Sequence, residues 1–416
     1  MSWFDTLIRR SKQYSTDHEN EQTINHDNLS ELYVACFEGD LDRAHRYLSK
    51  TPFAEINRRE CNGSTALHAA VQCGHIEMID LLLNKYGVMR HLCDNQGRTA
   101  YDLAKSNEIR RLFQRPTSNG NRFCEKPDSL EMFSSFQKNN KEKSTFKRVE
   151  TYGSYDEVRR RETLATFYEF QRTKTNNDFL YNFIFQRSIK RTEKEQLEVL
   201  LMIIEQSINP SDLNYNKAME LFHEFSKNKN PESLIRLYTL ETPLYRFINR
   251  GDDSKMIFAT LMNNCKDLLY GRSFTGTTYR GLGMTSDDLQ IYHWARENPD
   301  RYLQLNTFCS STLDEPLAKM YADANANEQQ KQVLIIFNFL RPSVNAIGLY
   351  QISNQLHSYS DFQDEQEVLI VPGIAFSVTN IEQTSSLITI SMTHLNLIEK
   401  MAEFENILID EQLSSY

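Results

Sequence analysis

The sequence predicts an α+β chain in three parts: α-helical repeats near the start, a helix-rich middle, and an antiparallel or mixed sheet in the last third. Three observations predict it. A turn-plus-helix pattern centred on Thr65 recurs at Thr99, 34 residues on. From about 151 to 270 the apolar residues follow a helical period. After about 273 short β-branched and aromatic runs alternate with Gly, Pro, Asn and Asp. A length of 416 residues fits two to three domains, and 40% hydrophobic with 25% charged residues is ordinary globular usage.

The elements follow in order. Residues 1–28 read as a flexible N-terminus, in which Trp3, Phe4, Leu7 and Ile8 sit at helical spacing beside Arg9, Arg10 and Lys12, a short helix expected to pack on its own domain. Over 29–113, Asn62-Gly63-Ser64-Thr65-Ala66-Leu67-His68-Ala69-Ala70 returns as Gln96-Gly97-Arg98-Thr99-Ala100-Tyr101-Asp102-Leu103-Ala104. The first copy leads through Gly74 into the apolar helix Ile76–Leu83, and an earlier copy reads Ala35-Cys36-Phe37-Glu38-Gly39-Asp40-Leu41. This segment resembles an ankyrin array of two to three repeats, whose period is about 33 residues. His68 then belongs to the repeat's own turn network. Cys61, Cys73, His75, His91 and Cys93 fall in different turns and helices of such a frame, so no metal centre is expected.

Residues 114–150, with Pro116, Pro127 and many Asn, Ser and Lys, read as a linker. Residues 151–204 read as a helical segment of unknown role, with Glu198–Ile204 its most buried stretch. The strand-like runs are Thr277–Arg280, Gln304–Ser311, Val333–Leu340, Glu367–Val371, Ile374–Val378 and Leu387–Met392. Leu395–Leu408 returns to a helical pattern, and residues 399–416 read as a C-terminal helix or tail.

Composition narrows the function. A net charge of −9 disfavours nucleic-acid binding as the main task. No apolar run approaches the ~18 residues of a membrane span, and Met1–Gln13 has no signal-peptide core. Seven cysteines without a CxxC pair are expected to be reduced thiols in the cytoplasm.

Three short elements carry chemistry. In Tyr279-Arg280-Gly281, alternation points Arg280 with Thr278, a guanidinium fork suited to a phosphate or ribose, and Gly281 lets backbone approach a ligand. In Phe308-Cys309-Ser310-Ser311-Thr312, Ser310 and Thr312 share one face, while Asp314 ahead of Pro316 starts a helix. In Asp364-Glu365-Gln366-Glu367, a strand beginning near Glu365 would project Glu365 and Glu367 from one face about 7 Å apart, separating their pKa values.

Taken in order, these elements resemble the Arg–Ser–Glu-x-Glu signature of arginine-specific mono-ADP-ribosyltransferases. The resemblance covers about 205–398 and includes Tyr238-Thr239-Leu240-Glu241-Thr242-Pro243-Leu244-Tyr245 and Tyr359-Ser360. Ser310-Ser311-Thr312 departs from the family's usual Ser-Thr-Ser but keeps a hydroxyl at each position, and Gln351–His357 is long for its loop. The resemblance implies a split β-sheet sandwich with a helical lobe. It implies cleavage of the nicotinamide–ribose bond of NAD or NADP and transfer of ADP-ribose to a protein arginine, with no prosthetic group or metal. Arg280, Ser310, Glu365 and Glu367 would be catalytic; Tyr279, Arg280, Gly281, Ser310, Thr312 and Ser360 would meet the dinucleotide. Ser310 would orient Glu367, and Ser360 and Phe362 would touch NAD or the target protein. The ankyrin segment would hold a protein partner or mask the cleft. The competing readings are an NAD glycohydrolase and a non-catalytic scaffold.

Overall fold

Side-chain caps start the first helices. In the computed structural model, which describes residues 29–115 and 191–395 apart from Gly251, residues 298–302, Asn306, Asn354 and Gly373, helix α1 (Glu31–Glu38) begins where the Tyr33 N–H donates to Ser30 and ends at Gly39, φ 75°. Helix α2 (Leu41–Leu48) begins at Asp40, which accepts from the Arg43 N–H. After the short α3 (Phe53–Ile56), α4 (Ala66–Cys73) starts at a reciprocal cap. There the Thr65 N–H donates to His68 Nδ1 at 3.1 Å, and His68 Nε2 meets the Arg98 carbonyl at 3.1 Å. In the next copy Asp102 takes the place of His68 and accepts from the Thr99 N–H and hydroxyl, each at 2.8 Å. Helix α5 (Ile76–Asp80) runs into a π turn, and a 3-10 turn at Tyr101–Leu103 precedes α6 (Asn107–Leu112). Leu67, Val71, Ile79, Leu82 and Ile109 fill the core of this ankyrin region.

The expected helix near Trp3, the linker beyond Arg115, most of 151–204 and the C-terminal helical pattern lie outside the described residues. Six helices form the next lobe: α7 (Glu193–Ser207), α8 (Tyr215–Asn228), α9 (Pro231–Thr239), α10 (Leu244–Arg250), α11 (Asp252–Asn264) and α12 (Lys266–Leu269). The run Glu198–Ile204 is amphipathic rather than buried throughout. Leu200, Ile203 and Ile204 enter the lobe's core, whereas Met202 is 54% exposed on the opposite side of the helix. Helix α7 passes through residue 205 without a break.

The strands are β1 (Ser273–Met284), β2 (Leu303–Gln304), β3 (Cys309–Thr312), β4 (Lys331–Gly348), β5 (Glu367–Ile370), β6 (Ala375–Gln383) and β7 (Leu387–His394). Helix α13 (Ser286–Glu297) follows β1, and α14 (Glu315–Asn325) follows β3. The expected Gln304–Ser311 run is divided, because β2 pairs with β6 while β3 pairs with β5. The sheet is mixed: β4 and β7 are parallel and the other pairs antiparallel. Where a split sandwich is expected, all seven strands belong to one hydrogen-bonded network, ordered β1-β3-β5-β4-β7-β6-β2 with β1 also paired to β4. The cause is β4: its 18 residues pair with β1 and β7 along one stretch and with β5 at Ala346–Gly348. Among the described residues no helix is long and apolar enough to cross a membrane.

Candidate active site

The helical lobe holds β3 in place. Tyr238, Phe258 and Phe308 form an aromatic triangle with centroids 5.2–5.4 Å apart. The Asn249 side chain accepts from the Phe308 N–H at 3.0 Å. From there β3 runs fully buried between β1 and β5. Thr312 lies across from Glu367 on β5, and Ser310 across from Leu369, so Ser310, Thr312 and Glu367 share one face, with Ser310 diagonal to Glu367.

Strand β1 meets β3 at the single rung Tyr279–Thr312. Alternation then puts Arg280 on the face of Thr278, whose hydroxyl donates to Ser311 Oγ at 2.9 Å. The Arg280 guanidinium reaches across to the Ser310 carbonyl at 2.5 Å. The buried Ser310 Oγ and Arg280 Nε have no hydrogen-bond partner among the described residues. The expected Ser310–Glu367 hydroxyl bond is therefore not formed. Orphaned polar atoms in a buried cluster are costly unless a ligand or water completes them.

Four expected details need correction or relocation. Glu365 is not on the strand: it ends a 3-10 turn (Gln363–Glu365), and Gln366 adopts the left-handed conformation at φ 44°, so a sharp turn rather than strand alternation sets the glutamates apart. Gly281 gives close approach to α14, since a Cβ there would overlap the Ala318 carbonyl. The Ser360 hydroxyl accepts from the Phe362 N–H at 3.2 Å and shapes its own loop. Thr312 donates to the Glu365 carbonyl and accepts from the Asp314 N–H, while Asp314 caps α14 by accepting from Leu317.

Glu365 and Glu367 are 1% and 0% exposed. Glu365 takes a bidentate pair from Arg115, Nε to Oε1 at 2.8 Å and Nη2 to Oε2 at 3.1 Å, and Tyr321 of α14 donates to Oε1 at 3.0 Å. Arg115 also pairs through Nη1 with Glu241 and lies 3.9 Å from the centre of the Phe362 ring. Burial opposes its charge, but Glu365 and Glu241 outweigh this and push the Arg115 guanidinium well above its ordinary pKa. Burial and the neighbouring Glu365 push Asp364 up to about 6.

The preceding loop is clamped from two sides. From the lobe, Arg272 donates to the Gly348, Tyr350 and His357 carbonyls, and its guanidinium lies 3.5 Å from the centre of the Tyr359 ring. Arg236 donates to the Ser358 carbonyl and lies 3.6 Å from Asp361, which also pairs with Lys217. From the ankyrin region, His91 lies 3.8 Å from Asp361, Arg90 lies 5.0 Å from the centre of the Phe362 ring, and Gln363 donates to Thr99 at 3.1 Å. Arg115, Glu241, Tyr321 and Asp361 were not marked as site residues by the sequence. Glu241 lay inside a quoted motif and Asp361 in an acidic loop, but a lone arginine after a repeat has no pattern to reveal it.

Residues 53–104 match the family of ankyrin repeats (many copies). The human photoreceptor ankyrin repeat protein is 42% identical over 55 residues, which are 13% of this chain and 12% of that protein. Similar solved structures include the ADP-ribosyltransferase HopU1 of Pseudomonas syringae (14% identity, 43% of this chain, 83% of that chain, TM-score 0.30). They also include the Vibrio splendidus ADP-ribosyltransferase Vis in complex with agmatine (18% identity, 50% and 87%, TM-score 0.25). The N-terminal part of the chain is thus an ankyrin-repeat region, and ADP-ribosyltransferases are among the solved structures similar to about half of the chain.

Proposed function

We propose that the helical lobe, from α7 onward, and the sheet form a mono-ADP-ribosyltransferase that cleaves the nicotinamide–ribose bond of NAD and passes ADP-ribose to a protein arginine. The observation that carries this reading is the placement of Arg280, Ser310 and Glu367 on three neighbouring strands, with buried polar atoms of Arg280 and Ser310 left without partners.

In this reading the C1′–nitrogen bond breaks and its electron pair leaves with nicotinamide. The positive charge developing on the ribose is the same demand that glycosidases meet with carboxylates. Glu367, buried on the face shared with Ser310 and Thr312, offsets that charge and holds the ribose hydroxyls. Arg280 anchors the dinucleotide's phosphate or ribose through the part of its fork not used on Ser310. Tyr279 and Thr312 form the adjoining rung. Glu365 receives the acceptor guanidinium, takes its proton as the nitrogen attacks C1′, and is oriented for this by Tyr321.

The glycohydrolase alternative has one observation in its favour: Glu365 already holds Arg115, which leaves water as the accessible acceptor. The test is incubation of the whole chain, as wild type and as Arg115→Ala to free Glu365, with labelled NAD and agmatine. Transfer predicts label on agmatine, hydrolysis predicts free ADP-ribose alone, and Glu367→Gln should lower nicotinamide release by at least about 100-fold. Unchanged release from a folded Glu367→Gln protein would remove Glu367 from the chemistry.

A further inference from the structure

We propose that Arg115 is the chain's own occupant of the acceptor-guanidinium pocket, a tethered plug that keeps outside arginines away from Glu365. The inference rests on the transferase reading of Glu365 and adds Glu241 and Phe362 as the second carboxylate and the aromatic wall of that pocket.

A pocket for an arginine needs a planar acceptor pair for the guanidinium fork, compensation for its charge, and a flat surface for its face. Glu365 supplies the bidentate pair, Glu241 a second carboxylate, and Phe362 the face at 3.9 Å. The ligand class is therefore a guanidinium compound. The pocket is complete, and Arg115 fills it: the residue is 5% exposed, and its partner Glu365 is 250 residues away in sequence.

Arg115 is delivered by the ankyrin region, which also covers the loop before Glu365. Thr99, Arg90 and His91 meet Gln363, Phe362 and Asp361 respectively. Gly87, φ 58°, packs against Leu213 of the lobe so closely that a side chain there would collide with it. A protein arginine can reach Glu365 only after this region lifts away.

The test uses the full chain, wild type and Arg115→Ala, with agmatine as the guanidinium probe. Calorimetric binding of agmatine should tighten about tenfold or more in Arg115→Ala, as expected if the open form is below about a tenth of the wild-type population. Arg115→Lys, which keeps the charge and loses the fork, should show a smaller gain and serves if the alanine variant does not fold. Adding Glu365→Gln to either variant should abolish the gain. Equal agmatine binding by wild type and both variants overturns the proposal, and so does an ADP-ribose adduct on Arg115 after incubation with NAD. Nicotinamide release, measured separately, tests the transferase reading: its absence from every form would defeat that reading, while agmatine binding would still decide the plug.

Discussion

Replacing Asp361 with alanine should cost about 3–5 kcal/mol of stability, because it removes the one carboxylate against which three basic side chains converge. Asp361 pairs with Lys217 and lies 3.6 Å from Arg236 and 3.8 Å from His91. Lys217 and Arg236 are 2% and 1% exposed, so water cannot take over. Burial alone would raise the Asp361 pKa, but Lys217, His91 and Arg236 hold it well below the carboxylate range. The loss has a ceiling, since a lysine left alone can shed its proton. From an ordinary value near 10.4, deprotonation at pH 7 takes about 4.6 kcal/mol. Arg236 keeps Glu232 at 2.9 Å and adds less. At roughly 2–4 °C per kcal/mol the melting temperature should fall by about 6–20 °C, read by calorimetry or near-ultraviolet circular dichroism. A double variant, Lys217→Met with Asp361→Leu, should recover most of the loss, because an apolar pair needs no compensation. A drop below about 1 kcal/mol for Asp361→Ala, or no recovery in the double variant, would refute the account of this network.

Two further outcomes follow from the geometry. His394, half-buried between Phe339 and Phe376, is pushed by burial down to about 4, so its stabilising neutral form is complete above pH 6.5 and lost as pH falls toward 4; at pH 5 this amounts to about 1–2 kcal/mol, and thermal melts at pH 7.5 and 5 should show a smaller pH-dependent drop for His394→Phe than for wild type. Tyr321→Phe removes the hydroxyl that orients Glu365 and should lower agmatine transfer about tenfold while nicotinamide release to water changes less than threefold; equal losses in both rates would show that Tyr321 supports the fold rather than the acceptor.

The sequence made the repeats and the strand-borne residues legible for a physical reason: both depend on local spacing. Thr65 and His68 cap one helix from three residues apart, and Thr99 with Asp102 repeats the device with a different acceptor. Ser310 and Thr312 share a face because strand alternation requires it. Local rules failed where tertiary pairing took over. Glu365 and Glu367 are related through a left-handed Gln366, a conformation that nothing in the residue type demands. The Gln304–Ser311 run was split because its two ends pair with different strands. Arg115 carried no signal, since its significance comes from a partner 250 residues on. Met202 escaped the core because helical period, not hydrophobicity of the run, decides which side of α7 is covered.

The way the ankyrin region is held constrains what can remove it. Its contacts to the loop and the helical lobe include ionic and polar ones: Arg115 on Glu365 and Glu241, His91 by Asp361, Thr99 with Gln363. Exposed ion pairs of that kind would yield to salt, but Arg115 and Glu365 are each 1% exposed at their side chains, where mobile ions do not screen. Opening strands a guanidinium and two carboxylates unless water reaches them together, so the transition is expected to be all-or-none along this edge rather than a gradual loosening. The efficient trigger is then a protein that binds the ankyrin repeats better in the released state, since only differential affinity shifts such an equilibrium. On the proposed transferase reading, a partner carrying the acceptor arginine would do both tasks at once: it would draw the repeats off the loop and present its own guanidinium to the fork that Arg115 vacates.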